Sequence, residues 1–278
     1  YGLTDAPANG AAPDSLFVPM LAPDEGDSAR STFNNYLDDN GNSICRNGDP
    51  YFVRDRQSPY FRDGQSMLCK YKPASGRTLV VDLSGGKGPN RNCQTQSVMQ
   101  LTNSNASLKA KIDSLVAGGN TNIIEGLMWG WRTISPNGPY TGAQPYAKPN
   151  HKKVLVLMTD GENTWGTNAN DPNVSDYSPF GFFWNKRLGT AAGIGDVAQG
   201  NVQDYMDAKA REACANARAA GVEIHTVGFA QTGYPISAKG IALLKACATS
   251  ESHYHLVTNG SELDLAFQNI GASLDGLH

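Results

Sequence analysis

From residue 98 onward, apolar positions fall into alternating helical and strand-like patterns. Val154 to Thr159 is an apolar run with no alternation. Such a strand is expected to be covered on both faces, as in a parallel sheet packed by helices. Val222 to Phe229 is a second apolar strand, and His253 to Val257 a short third. Helical spacing fills the intervals. Leu108, Ile112 and Leu115 mark a helix over 107–116, stopped by Gly118-Gly119. Ile124, Leu127, Met128 and Trp131 share one side of a helix over 122–135. Further helices are expected over 202–220 (ended by Gly221), 237–248 and 261–274, the last opened by a serine cap. The alternation predicts an α/β fold: a doubly wound, mostly parallel sheet with helices on both faces.

Residues 1–97 read differently. Gly, Pro, Asn, Asp and Ser are dense there, and the aromatic pairs Tyr51-Phe52 and Tyr60-Phe61 sit in no periodic segment. Loops of that length are uncommon in compact domains, and aromatic residues are too frequent for disorder. The expectation is a large irregular excursion over 1–97, stapled by disulfides, attached to an α/β core over 98–278.

Cysteine usage supports an oxidising compartment, periplasmic or extracellular. The five cysteines, Cys45, Cys69, Cys93, Cys214 and Cys247, contain no C-x-x-C pair, which removes the usual zinc and thioredoxin signatures. Cys69 and Cys93 bracket a Gly/Pro/Asn-rich loop that a bridge would restrain. Cys214 and Cys247 lie on consecutive helical patterns and could bridge them, which leaves Cys45 over. Net charge is -3 and pI about 6.0, with no basic tract for nucleic acid and no acidic tail. No segment approaches the ~18 apolar residues of a membrane span, so an anchor or export signal is expected upstream of Tyr1.

The apolar run at Val154 stops on Asp160-Gly161, a turn at the carboxyl end of its strand, which is where open α/β sheets bind ligands. Thr121 follows the Gly118-Gly119 turn, where its hydroxyl could cap the next helix or face a ligand. Together the threonine hydroxyl and the aspartate carboxylate suit a hard divalent cation, Mg2+ or Mn2+, with Ca2+ as a further choice. His225 lies in an apolar strand and reads as a packed core residue. His253 and His255 alternate on the short strand, but lack a third metal ligand. No nucleophile is paired with any of these groups, and no phosphate loop or Gly-x-Ser-x-Gly elbow occurs, so a non-enzymatic protein is expected. Tyr177, Phe180, Phe183 and Trp184 form an aromatic cluster in the long 163–199 loop. It suits a partner-recognition surface, or folds back as a local core.

Gly118-Gly-Asn-Thr-Asn-Ile123, Gly126-Leu-Met-Trp-Gly-Trp-Arg132 and Leu157-Met-Thr-Asp-Gly-Glu-Asn163 resemble the von Willebrand factor A domain of the TadG-like proteins, associated with bacterial Flp (tight adherence) pilus systems. Ala22-Pro-Asp-Glu25, Asn34-Asn-Tyr-Leu37 and Gly88-Pro-Asn90 with Cys93 extend the likeness, which runs from about residue 17 to the end. The resemblance implies a metal-ion-dependent adhesion site in which Thr121 matches the second loop and Asp160 the third. Asp82-Leu-Ser-Gly-Gly86 departs from the Asp-x-Ser-x-Ser first loop, since Gly86 replaces the second serine. On this pattern the first strand and helix are absent from the chain. The implied role is adhesion or assembly at a pilus, with a pilin-like or other assembly subunit as partner. The alternative is a structural assembly subunit with a vestigial metal site.

Overall fold

A computed structural model describes residues 3–6, 17, 19–25, 34–37, 81–91, 93, 95–140, 142–167, 175–189, 201–231 and 233–275. The chain divides into two compact units. The first comprises residues 1–18, 96–164 and 203–278, and the second residues 19–95 and 165–202. Segment 165–202 therefore groups with the N-terminal excursion, not with the sheet.

In the first unit the elements are α1 (Asn105–Asp113), α2 (Ile123–Ile134), β1 (Lys153–Thr159), α3 (Val202–Ala219), β2 (Val222–Phe229), α4 (Ala238–Cys247), β3 (Tyr254–Val257) and α5 (Gly260–Asp275). The strands form a three-stranded parallel sheet in the order β1-β2-β3, with Leu155 beside Ile224 and Thr226 beside Tyr254. The α/β class and the parallel sheet are thus as the sequence pattern predicts. The described strands advance in one direction only. The reversal of strand order that defines a doubly wound sheet is not among them.

Side chains alternate across β2, and each set meets a different helix. Thr226 Oγ1 donates to the Leu244 carbonyl of α4 at 3.1 Å, and a Cβ on Gly228 would lie 3.0 Å from Leu244 Cδ1. Val227 instead packs with Val257 of β3 and with Ala266 and Ile270 of α5. β2 therefore lies buried on both faces, as expected of a strand inside a parallel sheet. β1 does not. Leu155 and Leu157 are buried, Leu155 beneath Gly130 of α2, while Val156 and Met158 are exposed. The expected double cover is corrected here: among the described residues α2 packs on the Leu155 face, and the face of Val156 and Met158 stays open.

Helix α1 also departs from expectation. It is capped by Ser104, whose side chain accepts the Ser107 N–H, and it closes at Ser114 before the Gly118-Gly119 stop. Leu108, Ile112 and Leu115 are all exposed, so their spacing marks no buried face. Helix α2 is the opposite case: Ile124, Leu127, Met128 and Trp131 are all buried. Residues 3–6 are tied to this unit through Asp5, whose carboxylate accepts from the Ser135 and Tyr146 hydroxyls.

A disulfide joins Cys214 of α3 to Cys247 of α4, with Cα atoms 5.1 Å apart. Cys93 is a free thiol. The expected Cys69–Cys93 bridge is therefore corrected: bracketing a loop in sequence does not bring two Cβ atoms to bonding distance. Cys45 and Cys69 lie outside the described residues.

Among its described residues, the second unit is held by polar ties and ring contacts. Asp24 Oδ1 accepts the N–H groups of Tyr36 and Leu37 at 2.8 and 2.6 Å. The Asn34 side chain donates to the Pro23 carbonyl and accepts the Gly88 N–H. Leu37 and Val81 make an isolated antiparallel bridge.

Candidate functional site

At the carboxyl end of β1, short polar contacts lock four segments together. Thr121 N–H donates to Thr164 Oγ1, and Thr164 N–H returns a bond to the Thr121 carbonyl, both at 2.9 Å. Beside this pair, Asn163 Oδ1 accepts the Ile123 N–H while its Nδ2 donates to Asp207 Oδ1 of α3, both at 2.8 Å. Glu162 Oε2 accepts from Gln203 of α3 and from the Ser237 hydroxyl, which is also the N-cap of α4. The loop carrying Thr121 is thereby fixed against the segment that follows Asp160.

The electrostatics of this rim are acidic. Burial pushes the Asp207 carboxyl above its ordinary range, and the charges of Asp204 and Glu162 add to that, against the Asn163 hydrogen bond and Arg211. Asp207 Oδ2 is buried without a partner. Asp204 is paired with Lys239. Asp160 itself is exposed on the bend after β1. Neither the Asp160 carboxylate nor the Thr121 hydroxyl is used in a hydrogen bond among the described residues, and both suit a hard cation.

Helix α2 is capped by Asn122, whose side chain accepts the Glu125 N–H, so the Thr121 hydroxyl is not the cap. Asp82 belongs to the second unit and is committed there: Oδ1 accepts the Ser84 N–H and Oδ2 pairs with Lys87 at 2.8 Å. The aromatic cluster also reads differently in three dimensions. Phe180 and Phe183 are each 2% exposed and pack against Trp165, with centroids 6.2 and 5.6 Å away. Those two rings form a local core, which corrects their assignment as a recognition surface. Tyr177 is half-buried against Phe182, and the Trp184 side chain lies outside what is described.

A second cluster occupies the opposite end of the sheet. Glu223 and His225, two apart on β2, face the same way, and His253 enters beside them just before β3. Both His225 Nε2 and His253 Nε2 approach Glu223 Oε1, at 3.3 and 3.2 Å. The three side chains present ligand atoms all within 4.8 Å of one another, close enough to share a metal ion. His225 is buried, while Glu223 and His253 keep partial access to solvent. Burial, and then the charge of His253, push the His225 imidazole below its ordinary range, against the pull of Glu223. Burial pushes Glu223 up, but hydrogen bonds from His253, Lys152 and His225 hold it net below the usual carboxylate range.

The sequence pattern singled out His253 with His255 and found no third ligand. His255 stands two residues further along the sheet, beside Val227, with its ring 6.1 Å from that of His225. The legible signal was the period-two pair Glu223 and His225 on the neighbouring strand. Using it required knowing that β2 and β3 are adjacent and in what register.

No protein-family model matches the chain, and no curated protein matches it. Among solved structures, the pilus adhesin SpaC from Lactobacillus rhamnosus GG is similar at 16% identity and a TM-score of 0.35. That likeness covers 61% of this chain and 21% of that one, and it fixes neither fold detail nor function.

Proposed function

We propose that this chain is a non-enzymatic binding domain of the von Willebrand factor A type, acting in adhesion or assembly of a Flp/Tad-type pilus at the cell surface or in the periplasm. Thr121 and Asp160 hold a divalent cation, Mg2+ or Mn2+, and an acidic side chain of a partner protein fills an open coordination position. The doubly wound sheet and the TadG-like assignment belong to this proposal. They rest on the residues Gly118 to Ile123 and Leu157 to Asn163 that carry the resemblance.

One observation supports the site. The Thr121–Thr164 pair, reinforced by Asn163, fixes the threonine loop to the segment that begins at Asp160. Both cation oxygens therefore belong to one braced rim, and both are uncommitted. Two protein oxygens are few for a cation that takes about six, so water and the partner supply the remainder. Affinity for the cation alone is accordingly weak.

Melting of chelator-stripped protein with and without millimolar Mg2+ tests this. At tenfold excess over Kd, mass action gives ~1.4 kcal/mol, a rise of about 3–6 °C. Asp160→Ala is expected to abolish the rise while leaving the metal-free melting point unchanged. No rise in either protein sinks the cation site and leaves the structural assembly subunit, which the commitment of Asp82 to Lys87 and Ser84 favours.

A further inference from the structure

We propose that Glu223, His225 and His253 bind a first-row transition-metal ion, Zn2+ foremost, at the amino end of the sheet, with one coordination position left exchangeable. The site is chemically separate from the carboxyl rim and does not depend on it.

Geometry is the first argument. A tetrahedral Zn2+ with ligand bonds of ~2.0–2.1 Å has ligand-to-ligand edges of about 3.3 Å. Glu223 Oε1 lies 3.3 Å from His225 Nε2 and 3.2 Å from His253 Nε2, so two edges are already set. Glu223 and His225 come from β2, and His253 from the turn that leads directly into β3, which is hydrogen-bonded to β2.

The surroundings are the second argument. His253 Nδ1 lies 2.7 Å from the Ser250 hydroxyl and 3.3 Å from that of Ser252. Outer contacts of this kind orient a metal-binding imidazole and free its Nε2 lone pair. His225 Nδ1 is buried without a partner, so its ring reaches other groups only through the nitrogen that faces the cluster. Lys152 Nζ, 3.4 Å from Glu223 Oε2, steadies the carboxylate and tempers its charge. Glu223 and His253 stay about a fifth exposed, which leaves an entry path and room for a water as fourth ligand.

The donor set selects the ion. Two imidazoles and one carboxylate favour Zn2+, Cu2+ or Ni2+, whereas Mg2+ and Ca2+ require oxygen. The rim at Thr121 and Asp160 offers only oxygen, so the two ends of the sheet discriminate between classes of metal.

The test is titration of the metal-free full chain with Zn2+, and with Co2+ as a spectroscopic reporter. One ion per chain is expected, with Kd of about 1 µM or tighter and tetrahedral Co2+ bands. His253→Asn and Glu223→Gln are each expected to weaken binding by at least about tenfold, whereas Cys93→Ser and Asp160→Ala leave it unchanged. In the unmutated chain Zn2+ should shift the ring resonances of His225 and His253 but not of His151, which decides the matter even where a variant fails to fold. Failure to bind Zn2+, binding unaffected by both ligand variants, or ring shifts confined to other histidines overturns the proposal. A cluster held only by carboxylate–imidazole hydrogen bonds gives the first of these results.

Discussion

Asn163 shows how much one side chain organises. Its amide accepts from the first turn of α2 and donates to a carboxylate on α3, joining two helices at the end of β1. Asp207 receives that bond with one oxygen and keeps the other buried and unpartnered. A carboxyl raised by burial and by its acidic neighbours binds its proton more tightly in the folded than in the unfolded chain. Its contribution is therefore fully present below the unfolded value near 3.8 and is lost as pH rises through the folded value. Carrying the charge there is therefore unfavourable in the folded state. Asp207→Asn removes that charge and retains an oxygen for Asn163. It is expected to stabilise the chain at pH 7 by on the order of 1 kcal/mol, raising Tm by about 2–4 °C. The difference should shrink toward zero as pH approaches the unfolded value. A variant equally stabilised at all pH values, or destabilised at pH 7, contradicts this account.

Among elements, the disulfide between α3 and α4 makes the sharpest prediction. Cys214 and Cys247 are both fully buried and close a loop with a sequence separation of 33. Loop-closure entropy for that separation amounts to about 3–4 kcal/mol. Replacing both residues, Cys214→Ala with Cys247→Ala, should lower Tm by about 10 °C; a loss of a degree or two would place the stability of this helix pair in its packing instead. The pairing was legible because two cysteines sat on consecutive helices that a parallel crossover brings together. Cys69 and Cys93 offered no such geometric support, and Cys93 is free. The same contrast separates the helices. On α2, four apolar residues at helical spacing meet Leu155 and the core, whereas on α1 a similar spacing meets nothing among the described residues. Periodicity reports that a face could be buried; only a partner element decides whether it is.

At the level of the whole molecule, the α/β class and parallel strands were legible because apolar runs and helical spacing alternate from residue 98 onward. The placement of Thr121 before α2 and of Asp160 after β1 was legible because strand ends and glycine turns advertise themselves locally. Glu223, His225 and His253 were not, since their meeting depends on strand order and register. The two candidate metal positions lie at opposite ends of the sheet. Glu223 pairs with Val154, and Asp160 stands six residues beyond Val154, so about 20 Å of strand separates them. Sites that far apart, sharing no side chain, are expected to act independently. The Tm rise from saturating Zn2+ should therefore be the same with and without Mg2+, agreeing to within about 0.5 kcal/mol in converted free energy. Asp160→Ala should erase only the Mg2+ increment and His253→Asn only the Zn2+ increment. Were either substitution to erase both, the two ends would be coupled through β1 and β2, and the sheet would be transmitting metal occupancy from one end to the other. Strict additivity would instead identify it as a passive frame that holds two unlike cation chemistries apart.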